Sequence, residues 1–349
     1  MSTPQDDYLH EGYFRAGHTV RQTRYVFVEG DWYSTIWSRV PLRRYRLRKS
    51  QRRLLRKVRD RYAVTVAPYE RRDDQDAVYE AYQSGHALDV AEDVGEVLGR
   101  QAATVPFRTH VLRLEDKATG ELAAFSCFDL GHFSAASLFG AYRPERARES
   151  LGFATMLLEI DYGARLGLEH YYPGYCVPGL APFAYKLRLP NLEGRSFADA
   201  DWAPMTEVLS RPLPKDAIAA ALSELEELLL EHRVGCRQLI MPLAENFHAG
   251  YAPVGPMPHV QMLSIDSPVP LGELFVGYDA LGQRYEVWIA AAQEDFREEE
   301  NAAFWINEFP EGSDLRLYAW RIPVVAVEEP RELLKYFQPG SLLTRMLGE

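Results

Sequence analysis

RESLGFATMLLEIDYGARLGLEHYYPGY, residues 148–175, is the stretch that decides how this chain folds. Apolar residues recur at helical spacing from Arg148 to Leu166, Gly167 supplies a stop, and Glu169 to Tyr175 reads as a short strand. Upstream, His110 to Leu114 and Glu121 to Leu130 alternate or run apolar on either side of Asp116-Lys117-Ala118-Thr119-Gly120, the pattern of a hairpin with a glycine-containing loop. Ser137 to Tyr142 is a third strand. The order is hairpin, strand, helix, strand.

That order resembles the centre of the GNAT-type acyltransferases, whose strands splay around a long helix and open a cleft for an acyl donor and an amine acceptor. The resemblance implies an α+β fold: a GNAT-like (acyl-CoA N-acyltransferase type) mixed sheet with flanking helices, followed here by a C-terminal α+β extension. In acetyl-CoA users the turn into the helix reads Arg/Gln-x-x-Gly-x-Gly/Ala, so that backbone N–H groups at the helix start approach a pyrophosphate. Gly152 and Ala154 keep that spacing, but Glu149 puts an anion at the first position. Acetyl-CoA is therefore not the expected donor, and no cofactor is expected.

Working outward, RYVFVEGDWYSTIWSRV (residues 24–40) reads as two strands around a Glu29-Gly30-Asp31 turn, and YAVTVAP (62–68) as another strand. Residues 1–68 are expected to form a β platform with a helix, and 69–209 the transferase core, opening with a helical pattern that aligns Tyr79, Tyr82 and His86. After a proline-bearing connector from Pro204 to Pro214, Asp216 to Arg233 reads as a helix with leucines on one face. Strand-like segments follow at Gln238–Pro242, Val260–Ile265, Leu274–Tyr278 and Tyr285–Ala291, with a turn at Asp279-Ala280-Leu281-Gly282. No catalytic motif marks the 210–349 extension, whose role the sequence leaves open.

The chain has 349 residues, 47% hydrophobic and 26% charged, a globular composition. No apolar run approaches the roughly 18 residues of a membrane span and the N-terminus lacks a secretory core, so a cytoplasmic protein without membrane association is expected. Cys127, Cys176 and Cys236 are too far apart for a CxxC pair, and the nine histidines show no HExxH spacing. Neither GxGxxG nor GxxxxGK[ST] occurs. No metal site is expected.

Net charge is −11, yet from Arg39 to Arg61 the chain carries twelve basic residues against the single acid Asp60, a local +11 that leaves −22 for the rest. Such a cluster attracts a polyanion; a solvated face or an intramolecular partner for the acidic remainder is the alternative. SQRRLLRKVRDRY (50–62) offers Ser50 as an N-cap and Leu54, Leu55, Val58 and Tyr62 as one apolar stripe. Arg48, Lys49, Gln51, Arg52, Arg53, Arg56 and Lys57 are then candidate phosphate ligands, able to bind a nucleic-acid backbone without reading its sequence.

Several segments together resemble the aminoacyl-tRNA-protein transferases, the arginyl and leucyl enzymes of the N-degron pathway. They are Gly12-Tyr13-Phe14-Arg15-Ala16-Gly17, the Arg48-Lys49-Ser50-Gln51-Arg52-Arg53 run, Glu149-Ser150-Leu151-Gly152, Gly167 to Tyr175 with its Tyr171-Tyr172-Pro173-Gly174-Tyr175, and Tyr185-Lys186 followed by Leu192-Glu193-Gly194. The resemblance spans roughly residues 8–205. It implies an aminoacyltransferase that moves an amino acid from a charged tRNA to the amino group of a protein or peptide N-terminus, with no DNA partner. The chain departs from the family in lacking an N-terminal cysteine cluster, in carrying Glu149 where a basic residue is common, and in its long C-terminal extension.

Transfer from an ester to an amine needs positioning, a neutral amine and stabilisation of an oxyanion. On the strand, Tyr171 and Tyr172 point to opposite sides, so only one faces the cleft. The expected site residues are Tyr172, Gly174 as space for the ester, Tyr185 and Lys186 at the oxyanion or the terminal phosphate, and His170 as acceptor of the amine proton. An acyl-CoA-dependent GNAT N-acyltransferase and a non-catalytic tRNA-binding relative remain as alternatives.

Overall fold

A computed structural model describes residues 3–28, 30–84, 93–99, 107–242, 257–266, 272–295, 313–314 and 316–337. Glu29 and His86, which figure in the sequence reading, lie outside the described residues. The chain divides into two compact units. The first holds residues 1–23, 35–195 and 200–210, and the second holds 24–34, 196–199 and 211–349.

The principal elements of the first unit are α1 (Pro4–His10), β1 (Ile36–Pro41), α2 (Lys49–Arg61), β2 (Tyr62–Pro68), α3 (Asp73–Ser84), β3 (Thr109–Asp116), β4 (Leu122–Leu130), β5 (Ser134–Tyr142), α4 (Leu151–Arg165) and β6 (His170–Cys176). Strands Glu193–Arg195 and Ala203–Pro204 complete an eight-stranded mixed sheet in the order 203–204, 193–195, β1, β6, β5, β4, β3, β2. All neighbours are antiparallel except β5 and β6, which run parallel across the α4 crossover. Hairpin, strand, helix, strand is the order found, in a mixed sheet flanked by helices.

β4 is buried along its whole length, which explains its unbroken apolar reading. Val78 and Tyr79 of α3 pack with Phe125 and Cys127 of β4, whereas Tyr162 of α4 sits edge-on to Phe128. Successive strand residues face opposite sides, so the two helices cover opposite faces. No division falls between residues 68 and 69, because β2 is hydrogen-bonded along β3 from Tyr62 to Pro68.

α2 begins at Lys49, one residue before the expected cap Ser50. The side chain of Gln51 causes the difference: its Oε1 accepts from Arg48 N at 2.8 Å and its Nε2 donates to Arg188 O at 3.1 Å. Leu55 and Val58 bury the expected stripe.

In the second unit the antiparallel strands β7 (Cys236–Ile240), β8 (Gln261–Ile265), β9 (Glu273–Asp279), β10 (Arg284–Asp295) and β11 (Arg316–Val327) lie in sequence order. Helix α5 (Pro214–Glu231) contributes Leu222, Leu225 and Leu229 to their core. The hairpin Tyr25–Val28/Asp31–Ser34 joins that core through Tyr25, Phe27 and Trp32, while β1, only two residues on, belongs to the first unit. The expected platform is thus split between two cores. No described helix is long and apolar enough to cross a membrane.

α1 is held by one carboxylate. Asp6 accepts from Thr3 N and Thr3 Oγ1 (2.8 and 2.7 Å), from the backbone N–H groups of His132 and Phe133 (3.1 and 3.0 Å) and from Ser134 Oγ (2.6 Å). These bonds overcome its desolvation and hold its pKa down at about 2. Replacement by alanine removes the charged acceptor and is expected to lower stability by about 1–3 kcal/mol, read as the midpoint shift in urea unfolding. An unchanged midpoint would show that α1 is not anchored there.

Candidate active site

The parallel pairing of β5 and β6 spans three residue pairs, His170–Ser134, Tyr171–Ala135 and Tyr172–Ala136, and then ends. On its other side β6 shifts register against β1 between Tyr171 and Gly174. Gly174 takes φ +84°, and a Cβ there would lie 3.3 Å from Lys186 Nζ; glycine therefore suits both the backbone and the approaching ammonium. The diverging strands open a cavity of about 520 Å³, walled by Ser137–Gly140, Pro173–Tyr175, the start of α4 and residues of α1.

Tyr172, Gly174, Tyr185 and Lys186 all line this cavity. Tyr171 points the other way and is fully buried, in keeping with strand alternation. Burial pushes the phenols of Tyr172 and Tyr185 up to about 12, so both are hydrogen-bond donors at neutral pH. Lys186 Nζ donates to Tyr175 O at 2.9 Å and sits 5.6 Å from the ring centroids of both Tyr175 and Phe183. With no acidic partner among the described residues, desolvation lowers its pKa to about 8.

His170 is not among the lining residues. It lies where β5 and β6 are still paired, before the divergence, beside Arg39 and Glu193, and burial lowers its pKa. The expected acceptor of the amine proton is thus kept from the cavity by the same pairing that ends two residues later.

Sequence reasoning missed other cavity residues. Arg15 and Asp129 form a buried ion pair at 3.0 Å, with side chains 3% and 1% exposed. Arg15 Nε also donates to Gly17 O and Thr109 Oγ1 donates to Asp129. Trp37 lines the cavity with a buried Nε1 that has no partner among the described residues. Outside the lining residues, Tyr171 Oη donates to Glu159 Oε2 at 2.7 Å, and burial raises the Glu159 carboxyl to about 7. A lone glutamate inside the apolar LLEI of α4 is the signal that was there to find.

Of the cationic cluster, Arg39, Arg43, Arg59 and Arg61 are tied to Glu193, Glu169, Asp161 and Asp116 respectively. Among the described residues Arg48, Lys49, Arg52, Arg53, Arg56 and Lys57 have no acidic partner, and all are exposed. Arg52 does donate to Leu47 O. Gln51, a candidate phosphate ligand, is buried and spends its amide on the helix cap. Lys49, Arg53, Lys57 and Arg148 line a groove of about 960 Å³. Ser150, at φ 55° ahead of α4, lines both this groove and the cavity. Glu149 is neutralised in place, accepting from Tyr62 Oη at 2.7 Å and pairing with Arg61 and Arg146 at 3.2 and 3.4 Å. It does not present the unpaired anion that the sequence suggests.

The groups facing Glu159 are Ser126, Ser137, Tyr171, Cys127 and Tyr185, none of them cationic. Its folded pKa lies above the ordinary carboxyl value, so between about pH 4.5 and 7 the folded chain holds a proton that the unfolded chain has released. Stability is then lost as pH rises through that window. Glu159→Gln is expected to remove this slope and, above pH 7, to be the more stable form by on the order of 2 kcal/mol. Thermal melting of both chains at pH 5 and pH 8 checks it; parallel curves would refute it.

Residues 71–194 match the family model described as "Arginine-tRNA-protein transferase, C terminus". The chain is 28% identical over 173 residues to an aspartate/glutamate leucyltransferase of Ruegeria sp., covering 49% of this chain and 62% of that protein. To the protein of the same name from Ruegeria pomeroyi it is 26% identical over 197 residues, covering 54% and 71%. The chain thus spans about two thirds of the length of these relatives. A solved structure of FemX aligns with TM-score 0.33 at 10% identity, over 49% of this chain and 59% of that one. By the match over residues 71–194 and by these relatives, the chain is similar to the aminoacyl-tRNA-protein transferases.

Proposed function

We propose that the first unit transfers an amino acid from the 3′ ester of a charged tRNA to the N-terminal amine of a protein or peptide. The observation that carries this reading is the meeting of a basic groove and the splayed-strand cavity at Ser150. Phosphates in the groove find Lys49, Arg53, Lys57 and Arg148, cations whose charge is not spent on carboxylates among the described residues. The chain end beyond them is then within reach of the cavity. The names of the relatives support leucine as the amino acid carried and aspartate or glutamate at the acceptor end.

In the transfer, the acceptor nitrogen attacks the ester carbonyl, the new C–N bond forms and the C–O bond to the ribose breaks. The amine proton goes to the neutral fraction of Lys186, and the resulting ammonium returns it to the departing ribose oxygen, so that charge and protons balance. Desolvation by the surrounding rings is what gives Lys186 a usable neutral fraction near physiological pH. The phenols of Tyr172 and Tyr185 remain protonated and donate to the developing oxyanion. CoA chemistry has less to recommend it, because the groove presents four basic side chains suited to a run of phosphates.

Two outcomes test this. Replacing Lys49, Arg53 and Lys57 together by alanine is expected to weaken binding of leucyl-tRNA and to flatten the slope of log affinity against log salt by about 2–3, near one unit per lost phosphate contact. Binding and slope both unchanged would count against the groove. Lys186→Met is expected to leave tRNA binding intact and to slow transfer of labelled leucine to a peptide beginning with aspartate by about 10²–10⁴-fold. Transfer of an acetyl group from acetyl-CoA, with none from leucyl-tRNA, would overturn the proposal.

A further inference from the structure

We infer that Arg188 takes the last phosphodiester of the donor tRNA, the one next to the aminoacylated nucleotide, and that the buried side chain of Gln51 holds Arg188 in place for it. The inference rests on the tRNA-dependent reading of the same cavity.

Three cationic side chains line the cavity among the described residues, those of Arg15, Lys186 and Arg188. Arg15 is closed off by Asp129, and Lys186, which donates to Tyr175 O, is the base of the proposed transfer. Arg188 is exposed and has no acidic partner among the described residues. It is held nonetheless. Its Nε donates to Tyr185 O at 3.4 Å, and its guanidinium carbon stands 4.3 Å from the centroid of the Phe153 ring. Stacking on a ring occupies the face of a guanidinium and leaves its edge open to an anion.

The place of Arg188 in the fold says which anion. Phe153 lies in the first turn of α4, three residues after Ser150, where cavity and groove meet. The carbonyl of Arg188 accepts from Gln51 Nε2 at 3.1 Å, and Gln51, 3% exposed, sits at the start of α2 between Lys49 and Arg53, two of the groove's cations. The short 3-10 helix Lys186–Arg188 carries the base two residues away. Along bonded elements, then, the groove leads to Arg188 and Arg188 to Lys186. A strand whose earlier phosphates occupy the groove presents its last one at that step, with the ester just beyond. An acceptor carboxylate is the other anion this cavity could admit, but nothing ties its entry to α2.

The same geometry gives Gln51 a role that its place in a basic run conceals. Its Oε1 accepts from Arg48 N while its Nε2 donates to Arg188 O, a pair of bonds that needs an acceptor and a donor on one side chain. Glutamate offers only acceptors and lysine only donors. Gln51 is therefore a positioning residue and Arg188 the ligand, binding phosphate oxygens through charge-assisted, forked hydrogen bonds.

The test uses leucyl-tRNA and the same leucyl-tRNA with its last phosphodiester made a neutral methylphosphonate. Transfer of leucine to a peptide beginning with aspartate is read as kcat/KM in wild type, Arg188→Met, Arg188→Lys and Gln51→Glu. Wild type is expected to lose about 10- to 100-fold on the neutral linkage, the range for hydrogen bonds to charged groups. Arg188→Met is expected to be slow with both donors and nearly indifferent to the linkage, Arg188→Lys to restore part of the difference, and Gln51→Glu to reduce it. The ratio of the two donors cancels general damage from a substitution; should Gln51→Glu fail to fold, the exposed Arg188 carries the test. A wild-type ratio near one, or an undiminished ratio in Arg188→Met, overturns the inference and leaves the transferase reading standing. So does an Arg188→Met chain whose defect is a lost preference for aspartate over asparagine at the peptide N-terminus. An undiminished ratio in Gln51→Glu removes its positioning role. Failure of wild type to use unmodified leucyl-tRNA overturns both readings.

Discussion

The constraint on which the first unit depends is the short length of one parallel pairing. β5 and β6 share backbone bonds from His170 to Tyr172 and no further. A crossover through α4 places the two strands side by side, and the shift of register against β1, with Gly174 at φ +84°, releases β6 from its neighbour. Extending the pairing by two residues would close the cavity and bury Gly174 in a ladder. The conformation of one glycine, and the pairing that stops before it, separate a sheet from a site.

That opening is maintained against ordinary folding energetics. A well-packed core has few polar groups without partners, yet in the wall of this cavity Trp37 Nε1 is buried and unmatched among the described residues. Lys186 sits among rings that disfavour its charge. Arg15 and Asp129, also in the wall, are fully matched and serve the opposite purpose, tying the N-terminal segment to β3 and β4 through Gly17 and Thr109. Unmatched groups belong to a place where a ligand completes them, and matched ones to a place where the wall has to stay still.

Much of this was legible in the sequence, for identifiable reasons. The order hairpin, strand, helix, strand follows from periodicity and from Gly167, whose φ of +77° marks the stop after α4. Tyr172 rather than Tyr171 faces the cavity because alternation is a local property of any strand. What remained hidden depends on partners distant in sequence. The start of α2 is set by Gln51 reaching Arg188, and the hairpin at 25–34 shows its alternation but not which of two cores it enters. His170 and Tyr172 have the same parity on β6, so spacing alone does not tell which one stands at the end of the pairing where the strands part. Glu149 reads as a bare anion until Tyr62, Arg61 and Arg146 close around it.

The cavity is electrostatically one-sided where the proposed chemistry needs it to be. Among the described residues no carboxylate partners Lys186, and desolvation pushes its ammonium toward the neutral form. An acid placed beside it would hold the proton on and remove the base that the transfer needs. The phenols of Tyr172 and Tyr185, pushed up by burial, keep their protons at the pH where part of Lys186 has lost its own. The same desolvation thus disfavours the charge on a cationic side chain and on two acidic ones, and leaves the 520 Å³ space with a base and with hydrogen-bond donors near one pH.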